Sequence, residues 1–68
     1  METMVVGVGG MSCGGCVKNV TGVLEALPGV ASVEVSLDAG QAKIAYDPAQ
    51  VGRPQFVAAI ENAGFDVA

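Results

Sequence analysis

Histidine is absent from this sequence, and basic side chains are scarce. Without an imidazole, and with no carboxylate pair beside the cysteines, the chain lacks the parts of a hydrolytic active site. Lys18, Lys43 and Arg53 stand scattered against 7 acidic residues, a formal net charge of -4. No basic stripe exists to neutralise phosphates, so neither nucleic acid nor an anionic membrane is an expected partner. The aromatics are limited to Tyr46, Phe56 and Phe65. They are too far apart to stack bases and too few to line a deep pocket. No apolar run approaches the ~20 residues needed to span a bilayer. Met1-Glu2-Thr3 lacks the basic start of a secretory signal, so a cytoplasmic location is expected.

What is present fits one domain, residues 1–68. At 51% hydrophobic residues the chain is too apolar to stay disordered. A domain of this length buries only about 60% of the surface its unfolded chain exposes, so the core is thin. Its material is mainly Val and Ala, small side chains suited to a sheet packed on helices.

The periodicity supplies the elements. Residues 3–8 read as a strand, with Met4, Val6 and Val8 on one face and Thr3, Val5 and Gly7 on the other. Gly9 to Gly15 begin as a glycine-rich loop. From Cys16 the period becomes helical: Cys16, Val20, Val23, Leu24 and Leu27 share one face until Pro28-Gly29 stops the helix. Gly22 inside it costs about 1 kcal/mol against Ala, a cost that a close approach by a neighbouring element would explain. Val33, Val35 and Leu37 then alternate with outward Glu34 and Ser36. Asp38-Ala39-Gly40-Gln41 signals a hairpin turn, and Ala42, Ile44 and Tyr46 form the next strand, ended by Asp47-Pro48. Pro54 suits the first turn of a second helix with Phe56, Val57, Ile60 and Ala63 inward. Gly64 stands at its C′ position, and Phe65 to Ala68 form a last strand. Strand, helix, strand, strand, helix, strand is an α+β order. It predicts a ferredoxin-like βαββαβ fold, a four-stranded antiparallel sheet with two helices on one face.

Cys13 and Cys16 meet the chain where loop passes into helix. Cys13 on the loop is free to turn, and Cys16 falls in the first helical turn, where unpaired backbone N–H groups and the positive helix end favour thiolates. Gly14 and Gly15 remove bulk between the sulfurs, and Lys18 follows within a turn. Such a pair is a disulfide staple, a redox dithiol or a metal site. The staple is disfavoured in a reducing compartment, and so short a loop gains little from closure. For a metal, two cysteines and no histidine fall short of the four ligands of structural zinc or an iron–sulfur cluster. Covalent haem needs a histidine where Val17 stands. Two soft thiolates alone suit a two-coordinate ion: Cu(I) first, then Ag(I) and Hg(II).

Gly10-Met11-Ser12-Cys13-Gly14-Gly15-Cys16 resembles the G-M-T/S-C-x-x-C motif of the heavy-metal-associated domain family. That family includes small copper chaperones and the amino-terminal modules of copper-transporting P-type ATPases. The resemblance runs from Met4 to Val67, through Gly29-Val30, Val33, Val35 and Ala63-Gly64-Phe65. It implies the ferredoxin-like fold, Cys13 and Cys16 as metal ligands, Met11 as a buried prop for the loop, and transfer between proteins by ligand exchange. Ser12 resembles copper members, since zinc- and cadmium-directed relatives tend to place an acidic residue beside the pair. Mercury carriers of the periplasm have a signal peptide. Free bacterial chaperones often carry Tyr at the position of Phe65 and ATPase modules often Phe, so a chaperone and an excised module both fit.

The resulting expectation is a non-enzymatic carrier of one Cu(I), with Ag(I) or Hg(II) as alternatives. Its partner is a copper-transporting P-type ATPase or that pump's metal-binding domains. It is expected to be a monomer when apo, with a metal-bridged dimer at high loading. The competing class is a CxxC thiol–disulfide oxidoreductase. The chain is short for a thioredoxin fold and lacks the aromatic and proline that surround that motif.

Overall fold

The computed structural model describes residues 1–11 and 14–67. The elements run β1 (Glu2–Gly9), α1 (Gly14–Glu25), β2 (Val30–Ser36), β3 (Gln41–Tyr46), α2 (Arg53–Asn62) and β4 (Asp66–Val67). The strands form one antiparallel sheet in the order β2-β3-β1-β4. This is the expected ferredoxin-like arrangement.

Each strand buries the face its alternation marks. Val6 and Val8 of β1 and Ala42, Ile44 and Tyr46 of β3 meet Val20 and Leu24 of α1 and Phe56 and Ile60 of α2. Val33 and Val35 of β2, opposite Ile44 and Ala42, complete that face half-buried. The other face places Glu34, Lys43 and Val5 in one cross-strand row, with Val5 53% exposed. Among the described residues no helix is long and apolar enough to cross a membrane.

Two leucines depart from the sequence pattern. α1 ends at Glu25, and Leu27 follows on a tightened turn in which its N–H donates to Leu24 O at 3.1 Å. Its side chain still reaches the core. β2 ends at Ser36, so Leu37 opens the hairpin turn and is 39% exposed. There its carbonyl accepts from Gly40 N–H at 3.3 Å, and Ser36 Oγ accepts from Ala39 N–H at 3.3 Å. Closing the turn takes Leu37 off the pleat, so the alternation that includes it runs one step too far. A bulge between Val30 and Ser32 similarly shifts the start of β2.

The ends of α2 follow the sequence signals. Gln55 Oε1 accepts from Gly52 N–H at 3.0 Å, and Pro54 lies in the first turn. At the other end Phe65 N–H donates to Ile60 O and Gly64 N–H to Glu61 O, a Schellman closure. Ala59 packs with Phe56 and Ile60 against the core, while Val57 is half-buried.

Two glycines have opposite standing. Gly29 has φ +87, and a Cβ there would come within 2.7 Å of Gln50 Cβ and 3.3 Å of Val51 Cγ1. Gly22, in the middle of α1, is exposed, and a Cβ there would meet nothing within 4 Å. The close approach expected at Gly22 is therefore not found.

Candidate metal centre

The last residues of β1 are held from both sides. Val8 pairs with Val67 and Gly9 with Asp66 of β4, while Val8 N–H donates to Gly40 O at 2.7 Å. These bonds bring the β2–β3 turn and the start of β4 to the end of the sheet where the cysteine loop leaves. Gly10 takes φ +90, a left-handed conformation open to glycine, and a Cβ on it would lie 3.8 Å from Cδ1 of Phe65. The Phe65 ring thus covers the backbone at the start of the loop. Met11 is half-buried and packs against the core, the propping role the resemblance implied.

α1 begins at Gly14, so Cys16 is its third residue and half-buried. Cys13, the other candidate ligand, and Ser12 lie outside the described residues. Gly14, Gly15 and Lys18 are exposed. The first turn of α1 contains no acidic side chain. Its amino-terminal N–H groups have no intrahelical acceptors, and this positive end attracts anionic ligands. Among the described residues no three His, Cys, Asp or Glu side chains gather to hold a metal. Val20 and Leu24, further along the inner face of α1, are buried and hold the helix on the core.

The heavy-metal-associated domain model matches residues 5–66. The chain belongs to the heavy-metal-associated domain family. It is 42% identical over 67 residues to the copper chaperone CopZ of Staphylococcus aureus, covering 98% of each chain. It is 42% identical over 59 residues to the copper-transporting ATPase RAN1 of Arabidopsis thaliana. That match covers 87% of this chain and 6% of the ATPase. Among solved structures, a CopZ metallochaperone superposes with a TM-score of 0.96 at 39% identity, covering 98% of this chain and 100% of that one.

Sequence reasoning placed Cys16 on the first helical turn and Met11 beneath the loop. It did not find the contact between Phe65 and Gly10. Fifty-five positions separate the two, and only the pairing of β4 with β1 brings them together. The left-handed need at Gly10 was signalled only by the glycine itself.

Proposed function

We propose that this heavy-metal-associated domain binds one soft metal ion, Cu(I) ahead of Ag(I) or Hg(II), between Cys13 and Cys16 and passes it to a partner protein. The metal is cargo, and no chemical reaction is assigned to the chain. The observation that carries this reading is the place of Cys16 in the first turn of α1, beside two exposed glycines, in a chain with no histidine and one other cysteine. Two thiolates leave a tetrahedral ion half filled but satisfy a two-coordinate one.

Release by exchange follows from the same count. An ion held by two thiolates has room for a third, so a partner cysteine binds before either original bond breaks. Dissociation into water is thereby avoided. The contact between proteins needs to be only transient, below about 1,200 Å² of total buried area. The similarity to a copper-transporting ATPase supports such a pump, or its metal-binding domains, as the partner. The same similarity, confined to 6% of the ATPase, supports a second reading in which this chain is itself a module of a pump. We place its work in the cytoplasm, where thiols remain reduced.

Anaerobic titration tests the proposal. One Cu(I) per chain is expected, and Cys13→Ala and Cys16→Ala should each abolish tight binding. Tight binding by either variant would refute the site. Catalytic reduction of insulin without copper uptake would favour the oxidoreductase instead. Transfer to an isolated CxxC module should finish within seconds, and a rate no faster than spontaneous release would leave a store rather than a carrier.

A further inference from the structure

β1 is paired unequally on its two sides. On one side it pairs with β3 from Glu2 to Gly7, and on the other with β4 only at Val8 and Gly9. Val8 N–H donates to Gly40 O, on the β3 side. Hydrogen-bonding groups alternate sides along an antiparallel strand. Val6 and Met4 therefore also turn theirs to β3, while Val5 and Thr3 turn N–H and C=O to the opposite, open side. Among the described residues no strand lies there to receive them. Val5 is 53% exposed, and Thr3 is exposed. Such an edge is ordinarily blunted by lysine, proline or a bulge. β2, the far edge of the sheet, has a bulge between Val30 and Ser32. The run from Thr3 to Val8 contains no charge and no proline.

We infer that the open side of β1 is a strand-addition site for an extended segment of a partner protein, antiparallel to β1, in line with β4, with a basic residue opposite Glu2. The occupant's chemistry follows from what it would face. Backbone bonds to Thr3 and Val5 require N–H groups, which excludes proline at the two positions opposite them. Continuing the register that pairs Val8 with Val67 puts the positions opposite Val6 and Met4 on the inner face of the sheet. Val6 is buried there and Met4 half-buried, so apolar β-branched residues fit. Glu2, exposed at the start of β1, favours Lys or Arg opposite. A second copy of this chain is a poor occupant: it brings a net charge of -4 to a protein of the same charge, and its own β1 has no basic residue. Thr3 and Val5 belong to the half of β1 away from the cysteine loop, so a segment added here leaves that loop uncovered. The inference is independent of the carrier reading.

The probe is the acetylated and amidated peptide Val-Thr-Val-Thr-Lys, whose residues stand opposite Val6, Val5, Met4, Thr3 and Glu2 in that order. Without peptide, the amides of Thr3 and Val5 should exchange hydrogen at least about tenfold faster than that of Val6. Millimolar peptide should shift the Thr3 and Val5 amide resonances and slow their exchange. Val-Pro-Val-Thr-Lys, which lacks the N–H opposite Val5, should bind at least about fivefold more weakly, the size of one lost backbone hydrogen bond. Val-Thr-Val-Thr-Glu, which sets like charges opposite at Glu2, should also bind more weakly. Val5→Pro removes the outward N–H from the protein itself, at a position where an edge strand tolerates proline, and should weaken the first peptide to the same degree. Should that variant not fold, the two altered peptides against the parent protein still decide.

Thr3 and Val5 amides as protected as that of Val6 in the dilute protein would mean that the chain itself closes the edge, and would overturn the site. Protection that appears only as protein concentration rises would make a second copy the occupant and overturn the partner. No shift at millimolar peptide, or equal binding by the proline peptide, would overturn strand addition. Equal binding by the glutamate peptide would overturn the basic residue opposite Glu2.

Discussion

Tyr46 and Phe56 meet edge to face, their ring centroids 5.0 Å apart and their planes at 81°. The contact joins β3 to α2 at the centre of a core made otherwise of Val, Leu, Ile and Ala. Phe56 is fully buried and is the largest side chain so placed. Truncation removes both the ring's apolar burial and its edge-to-face partner, and leaves a cavity.

Phe56→Ala should therefore cost about 3–5 kcal/mol. Against the 5–15 kcal/mol typical of whole domains, that is a large share of the total. Urea unfolding followed by circular dichroism measures it. A loss below about 1 kcal/mol would mean that the core closes around the gap or that the ring is not central.

Alanine should act with opposite signs at two glycines. At Gly29 it meets a left-handed backbone and Gln50 Cβ at 2.7 Å, so Gly29→Ala should lower stability by about 1–3 kcal/mol. At Gly22 it meets open space within a helix, so Gly22→Ala should raise stability by up to about 1 kcal/mol. Urea midpoints of the two variants that move in the same direction would contradict this.

Asp47 links stability to acidity. Its carboxylate accepts from Gln50 Nε2 at 3.0 Å and from Ala49 N–H at 3.0 Å. Those bonds, the Gln50 one first, hold its pKa below the ordinary 3.8. The folded state thus binds this proton less readily than the unfolded chain. The stabilisation is fully present above the unfolded value and is lost as pH falls through the folded one. Thermal midpoints should decline on acidification below about pH 4, and Asp47→Asn should flatten part of that decline. An unaltered acid limb in the variant would show that Asp47 is not a source of it.

Metal preference follows from the donor count. Zn(II) should bind far more weakly than Cu(I), because two protein thiolates leave half its tetrahedron to water. Because both thiols must lose protons, Cu(I) affinity should rise with pH until they are ionised. Competition titrations at several pH values check both statements. Equimolar zinc displacing Cu(I) would rule out the two-thiolate site.

Apo protein should sediment as a monomer, and some dimer should form only at high copper loading, when two loops share ions. A stable dimer without metal would count against an exposed, transfer-competent site.

Local patterns wrote most of the fold. The alternation of Met4, Val6 and Val8 and of Ala42, Ile44 and Tyr46, the helical spacing of Val20 and Leu24, and Gly64 behind α2 are each set by neighbours a few residues away. Such features are legible because side-chain period and terminal hydrogen bonding depend on nearby backbone alone. The cysteine pair and the want of histidine are matters of composition, read directly from the chain. Tertiary structure alone decided the rest. Leu37 left the core because the turn it helps close overrides the strand period. Phe65 reached Gly10 because β4 pairs with the far end of the chain. Gly22 and Gly29 are the same letter with opposite energetics, since what glycine contributes depends on its φ and on atoms brought near from elsewhere in the chain. The one-letter sequence encodes neither directly; packing does.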